Sequence, residues 1–146
     1  MATEAKNDHG HDFHVVIPSD PAEVRVVQDR IENLLTLLEI PSRDSFCVKL
    51  GMEEVLVNAI KHGNQMDRAK TVTISVRITP VDFEAKVTDQ GPGFDPADVP
   101  DPTDIENLER PCGRGLMLIR YYMHEVSHNE TGNSILMRRK FNQPEE

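Results

Sequence analysis

The chain has 146 residues, of which 38% are hydrophobic and 28% charged, with a formal net charge of -9. Such an acidic chain excludes a nucleic-acid backbone as the main ligand, because neutralising phosphates requires a basic surface. Its length fits one domain with a single core, and the absence of a long apolar run excludes a membrane segment.

The first elements in chain order are a flexible tail over residues 1–12, a strand and a long helix. Residues 13–17 favour a strand that stops at Pro18. Ser19 or Asp20 can cap a helix that has Pro21 at its first position and ends before Pro41. Its apolar positions recur at helical spacing: Val24, Val27, Ile31, Leu34, Leu35 and Leu38.

The two cysteines, Cys47 and Cys112, lie far apart, and the mainly polar first twelve residues lack the pattern of a secretory signal. Proteins without an export signal meet a reducing environment, where thiols stay free. We therefore expect a cytoplasmic protein with two reduced cysteines.

A second helix is predicted from a Ser42 cap to Gly63 and Asn64. At about 100° per residue, four polar side chains fall on one stripe: Glu54, Asn58, Lys61 and Gln65. The adjoining face is apolar: Val48, Met52, Val55, Leu56, Ala59 and Ile60. That face can pack on a sheet and hold the polar stripe in place.

The polar stripe has the composition of a metal-nucleotide site. Glu54 offers a base for a nucleophile, Asn58 a hard oxygen for Mg²⁺, and Lys61 a charge for phosphate. Glu53 is a competing base, but it lies about 100° from Glu54 and off the stripe. His62 ends the helix, where packing or hydrogen bonding is a simpler role than that of a phosphate acceptor.

Two alternating segments, residues 71–78 and 83–88, predict an antiparallel hairpin with a short link. Asp89 follows at the strand end and precedes Gly91-Pro92-Gly93. Glycines here permit positive φ and let a ligand approach the backbone.

The following stretch, residues 95–112, is rich in proline and acidic residues and is long for a loop in a small domain, which indicates a lid. Gly113-Arg114-Gly115 then opens a helix over residues 116–123, whose first free amides form an anion site. Strands over residues 125–129 and 134–141 flank a turn that contains Thr131. Within the last strand, residues 138–140 are basic and suit a solvated surface or the guard of a sheet edge.

In this order, the motifs resemble those of the GHKL ATPase superfamily. Residues 53–63 are similar to its N box, residues 89–94 to its first glycine box and residues 113–116 to its second. Thr131-Gly132 is similar to the last box. The motif Asn-Ala-Ile-x-His-Gly, together with the strand and helix that precede it, most resembles the anti-sigma factor serine kinases.

The resemblance implies a role for each matching residue. Asn58 would bind Mg²⁺, Asp89 would accept a hydrogen bond from the adenine amino group, and Glu54 would be the general base. The remaining nucleotide-binding residues would be Lys61, Gly91, Gly93, Gly113, Arg114, Gly115, Leu116 and Thr131. The lid over residues 95–112 would close on the bound ATP.

The expected fold is an α/β two-layer sandwich with a mixed, mainly antiparallel sheet covered on one face by about three helices. One domain would span residues 13–141, with a C-terminal tail over residues 142–146. The resemblance implies a homodimeric protein serine kinase that phosphorylates an anti-sigma factor antagonist and sequesters a sigma factor. The alternative is a module that binds nucleotide and a protein partner with little phosphoryl transfer.

Overall fold

The computed structural model describes residues 10–92 and 118–142. Its strands are β1 (His11–Pro18), β2 (Thr71–Ile78), β3 (Asp82–Thr88), β4 (Glu125–His128) and β5 (Ser134–Lys140). They form one sheet in the order β1-β2-β3-β5-β4. All strand pairs in the described part are antiparallel, where we predicted a mixed, mainly antiparallel sheet.

One face of the sheet is apolar and is covered by helices, which confirms the two-layer arrangement. In β2, the alternate residues Val72, Ile74, Val76 and Ile78 are buried, and those between them are partly or fully exposed. Helices α1 (Val24–Leu37) and α2 (Ser42–Val57) supply the opposite layer of the core. Their contributions include Val27, Ile31, Leu35, Val48, Met52 and Leu56. Each such side chain contributes about 1.5–3 kcal/mol by leaving water.

Helix α1 has the predicted start but ends earlier than expected. The Asp20 side chain accepts a hydrogen bond from the Ala22 backbone N–H at 3.0 Å, as a helix cap does. The first turn, Pro21–Glu23, is a 3₁₀ helix that continues into α1. Glu39 has a φ of 54°, a left-handed conformation that ends the helical segment.

Ser42 does not cap α2, contrary to our prediction. The capping position belongs to Pro41, whose backbone is extended and whose carbonyl accepts from the Ser45 N–H at 2.9 Å. Ser42 is therefore already the first helical residue. Proline satisfies this position without a side-chain bond because its fixed φ orients the chain for the turn that follows.

A π-helical segment, Asn58–Gly63, continues α2, and we call it the π turn. Its closing bond runs from the Asn64 N–H to the Ala59 carbonyl, five residues earlier, at 2.8 Å. Gln65 has a φ of 54° and so leaves the polar stripe that we predicted for it. Segments of this kind are rare and often occur at functional sites.

The first strand begins at His11, two residues before the predicted start, so His11 and Asp12 do not belong to a tail. They pair with Ile78 and Arg77 of β2. Residues 118–122 form a short helix, α3, within the helix that we predicted over residues 116–123. The outer parts of both predicted tails, residues 1–9 and 143–146, lie outside the described residues.

Arg139 is buried, which contradicts the expectation of a solvated or edge-guarding basic cluster. Its guanidinium contacts the Asp44 carboxylate at 2.9 and 3.0 Å and donates to the Tyr122 carbonyl at 2.8 Å. The Asn142 N–H donates to the other Asp44 oxygen at 3.1 Å. The prediction failed because β5 lies inside the sheet, between β3 and β4, and turns Arg139 toward α2.

None of the helices in residues 10–92 and 118–142 has the length and apolar character needed to cross a bilayer. Cys47 is a free thiol, as predicted. Cys112 lies outside the described residues.

Candidate functional site

A cavity of about 140 Å³ lies where the π turn meets the ends of β3, β4 and β5. Its apolar wall consists of Val55, Ala59, Val87, Ile119 and Ile135. Its polar wall consists of Asn58, His62, Asp89, His128, Asn133 and Ser134, with Gly63 and Gly132 between them. A mainly apolar recess with a few convergent polar groups is typical of a small-molecule site.

Asp89 is the carboxylate in this cavity wall. Burial raises its pKa above the usual 3.8, and this effect exceeds the opposing effects of the Gly91 N–H bond and the Lys70 charge. The Gly91 N–H donates to Asp89 Oδ1 at 2.8 Å. Asp89 therefore presents a partly desolvated hydrogen-bond acceptor to a ligand.

Two glycines allow the π turn to approach the Asp89 turn closely. A side chain at Gly63 would overlap the Asp89 carboxylate, and one at Gly91 would overlap the Gly63 carbonyl. The predicted function of Gly91 was to let the backbone approach a ligand. The structure adds that both glycines let two protein segments meet at the cavity wall.

Asn58 lines the cavity, but Glu54 and Lys61 are not among its lining residues. Glu54 lies one α-helical turn before Asn58, about 40° from it around the helix axis. Lys61 and His62 belong to the π turn, where each turn holds more residues, and of these two His62 lines the cavity. Asn58 is therefore at the boundary between the cavity wall and the remaining polar stripe, with Glu54 partly exposed beside it.

The late turn reaches the cavity through Asn133 and Ser134, not through Thr131. The Thr131 hydroxyl is exposed and donates to Asn133 Oδ1 at 2.8 Å. Asn133 Nδ2 in turn donates to the Asp89 carbonyl at 3.2 Å. The role predicted for Thr131 stays a prediction, and Asn133 and Ser134 are new candidates that the sequence analysis missed.

Two histidines, His62 and His128, also line the cavity. Burial lowers the pKa of His128 below the usual 6.5, and the positive charge of Arg120 lowers it further. The sequence analysis assigned His62 a packing role and did not identify His128. The signal that could have identified His128 is the alternation in β4, which places His128 on the same face of the strand as Val126.

Asn64 is a further residue that the sequence analysis took only as a helix end. It is fully buried, and its amide oxygen accepts from the Gln90 N–H at 2.7 Å. From sequence alone, an asparagine that follows glycine at a helix end is expected to terminate the helix and to face solvent. Only the packing of the turn after β3 reveals its other contacts.

Several predicted site residues lie outside the described residues: Gly93, Gly113, Arg114, Gly115, Leu116 and the lid over residues 95–112. In the described ranges, no group of three or more His, Cys, Asp or Glu side chains is arranged to hold a metal ion.

Comparisons with known proteins identify the family and the fold of the chain. A family model described as the histidine kinase-like ATPase domain matches residues 17–139. The serine/threonine-protein kinase BtrW of Bordetella bronchiseptica is 27% identical over 89 residues. That match covers 60% of this chain and 63% of BtrW, a little under two thirds of its length.

An anti-sigma F factor of Clostridium perfringens is 31% identical over 101 residues, covering 65% of this chain and 71% of the relative. Among solved structures, the crystal structure of the RsbU and RsbW domains of a Mycobacterium tuberculosis protein matches with a TM-score of 0.61. The identity is 14%, and the match covers 90% of this chain and 31% of the other. At 14% identity this structural match shows a shared fold and nothing about function.

Proposed function

The chain belongs to the histidine kinase-like ATPase domain family, and from that membership we propose that it is an ATP- and Mg²⁺-dependent protein serine kinase. The observation that supports this most is the cavity that places Asp89 and Asn58 in one wall beside apolar side chains. A planar base and a polar phosphate chain need these two kinds of surface next to each other.

Asp89 would recognise the base. Its ionised carboxylate accepts hydrogen bonds only, so it favours a base with an amino group, such as adenine. The apolar wall would contact the faces of the ring, and Gly63 and Gly91 keep the wall free of bulk beside the carboxylate. Adenine fits this combination better than guanine, which presents a carbonyl at the corresponding position.

Asn58 would bind Mg²⁺ through its side-chain oxygen. When bound, Mg²⁺ would supply positive charge that offsets the negative charge of the phosphates. A single protein oxygen suits this metal, which commonly takes its other ligands from phosphates and water. Lys61 and residues 113–116 remain the proposed phosphate-binding groups.

Glu54 would act as the general base. It lies one helical turn before Asn58, on the partly exposed side of the stripe that a protein substrate can reach. Its carboxylate would take the proton of a serine hydroxyl while the serine oxygen bonds to the γ-phosphorus and the bond to ADP breaks. A positioned base typically contributes about 10²- to 10⁴-fold in rate.

The partners are proposed from the names of the relatives. One relative is named an anti-sigma F factor and another a serine/threonine-protein kinase. We infer that this chain, as a homodimer in the cytoplasm, phosphorylates a serine-bearing anti-sigma factor antagonist. In its free form it would sequester a sigma factor.

The test compares Glu54→Gln with the matched control Glu53→Gln on the neighbouring, exposed position. Calorimetry with ATP and Mg²⁺ should show wild-type affinity for both variants, because neither side chain lines the cavity. Phosphate transfer from labelled ATP to a serine-bearing protein in an extract of the host cells should fall at least about 100-fold for Glu54→Gln alone.

Equal phosphate transfer by Glu54→Gln and the wild type would remove Glu54 from the mechanism. ATP binding without any phosphate transfer by the wild type would favour the alternative, a module that binds nucleotide and acts by protein contact. Absence of ATP binding under all conditions would contradict both readings.

A further inference from the structure

Asn64 follows Gly63 of the cavity wall, and its side chain is fully buried. Its amide nitrogen donates to the Ser19 hydroxyl at 2.6 Å and to the Thr71 carbonyl at 2.9 Å. Its amide oxygen accepts from the Gln90 N–H at 2.7 Å. Both donor hydrogens and the acceptor are used, so the residue ties three chain segments to the end of the π turn.

The backbone is held on both sides of Asp89, and Asn64 holds the side that follows it. Before it, the Asp89 N–H donates to the Asn133 carbonyl at 2.9 Å. After it, Asn64 holds the Gln90 N–H, and Gln90 Oε1 accepts from the Thr71 N–H at 2.7 Å. A residue whose two neighbouring peptide groups are both held has little freedom in φ and ψ. The direction of its Cα–Cβ bond is therefore determined, and the Gly91 N–H, which donates to Asp89 Oδ1 at 2.8 Å, holds the carboxylate.

The surroundings of position 64 require an amide. The Ser19 hydroxyl donates its one hydrogen to the Lys70 carbonyl at 3.0 Å, so it can only accept from Asn64. The Thr71 carbonyl is also an acceptor. Aspartate has the same shape as asparagine, but at this position its carboxylate would face two acceptors without a hydrogen to give them.

We propose that Asn64 is a positioning residue for base recognition, which aims the Asp89 carboxylate at the cavity by holding the turn at Gln90. The inference rests on the proposed function, in which this cavity binds adenine. Asn64 does not line the cavity itself, so it acts through Asp89. Substitution of Asn64 should therefore change which base is preferred, in addition to any change in stability.

The test measures dissociation constants for ATP and ITP, both with Mg²⁺, together with Tm. ITP carries a carbonyl in place of the adenine amino group, so the ratio of the two constants reports the Asp89 contact. Asn64→Asp should weaken ATP binding about 10-fold and bring the ratio close to one. The matched control Ser19→Ala removes one bond of the same network on the side away from Gln90. It should lower Tm and leave the ratio at its wild-type value.

A second variant, Gln90→Pro, leaves Asn64 in place and removes both the N–H that Asn64 holds and the Gln90 side-chain bond to the Thr71 N–H. It should also bring the ratio close to one. A wild-type ratio in folded Asn64→Asp, or in Gln90→Pro if Asn64→Asp does not fold, would overturn the inference. Failure of the wild-type protein to bind ATP in preference to ITP would instead contradict the proposed function.

Discussion

Two aspartates lie near opposite ends of the segment formed by α2 and the π turn, and their environments differ. Asp44 belongs to α2, and Asp89, which follows β3, lies beside Gly63 of the π turn. At the start, Asp44 is 4% exposed and paired with Arg139, and its other oxygen accepts from the Asn142 N–H. At the far end, Asp89 faces a cavity, and the bond to its side chain within the described residues comes from the Gly91 N–H. Burial raises the pKa of Asp89.

The difference separates a carboxylate that stabilises the fold from one that can bind a ligand. Asp44 is buried, has its charge matched by Arg139 and has a partner on each oxygen, so it is not available to another molecule. Asp89 lines the cavity with a carboxylate whose partial burial makes its ionised form less favourable than in water, so a donor from a ligand would stabilise it. The two acids should therefore respond in opposite ways to mutation.

The largest expected effect is on the Asp44 pair. Arg139→Met removes the countercharge and leaves the Asp44 carboxylate buried without a partner cation, which should lower the free energy of unfolding by about 3–5 kcal/mol. For a chain of this size, that corresponds to a fall in Tm of about 10 °C. Denaturant titration followed by circular dichroism would measure it.

The double variant Asp44→Leu with Arg139→Met is the matched control. Replacing both charges by apolar side chains should recover most of the lost stability, because no unpaired charge remains. A double variant as unstable as Arg139→Met would show that packing at this position, not the unpaired charge, causes the loss.

The second prediction concerns Asp89→Asn, which should weaken ATP binding about 10- to 100-fold by removing a charged acceptor. The free energy of unfolding of the nucleotide-free variant should not fall and should rise if it changes. Because the pKa of Asp89 is raised in the folded state, the stability that its protonated form contributes is present below pH 3.8 and is lost as pH rises through the folded-state pKa.

At pH 7 the nucleotide-free Asp89→Asn protein should therefore be as stable as the wild type or more so, and thermal melts across pH 4–8 would show it. The same protonation predicts that wild-type ATP affinity falls as pH drops toward the pKa of Asp89. A variant that loses both stability and ATP affinity would place Asp89 in the same structural class as Asp44.

The smallest expected effect is that of His128→Gln. Since the pKa of His128 is lowered in the folded state, the neutral ring contributes stability above pH 6.5 that is lost as pH falls below it. The substitution should change stability at pH 7 by about 1 kcal/mol or less. It should also flatten the decline of Tm between pH 7 and pH 5. An unchanged slope would exclude His128 as a source of acid sensitivity in the cavity wall.

Local patterns predicted much of the fold. The apolar face of α2 was read correctly, since Val48, Met52 and Leu56 are fully buried. The bounds of β2 were also correct, and β3 begins one residue earlier than predicted. Both successes depend on a regular period, which any strand or helix with one buried face must show.

The errors in the fold arose where contacts between distant segments decided the outcome. Arg139 looked solvated beside two other basic residues, and only the position of β5 inside the sheet turned it toward Asp44. Ser42 looked like a cap because serine is a frequent capping residue. In the structure, Pro41 occupies the N-cap position of α2, and Ser42 is the first helical residue.

The sequence by itself determined the elements, the apolar face of α2, and the two residues, Asn58 and Asp89, that the structure brings into one cavity wall. The elements and the apolar face follow from periodicity, a local property of the chain, and the roles of Asn58 and Asp89 follow from motifs that resemble those of the GHKL ATPase superfamily. Only the tertiary structure decided that Asn64 and Asn133 hold the turn around Asp89. Their bonds join segments 26 and 44 residues apart, and no local pattern records which donor will meet which acceptor after folding.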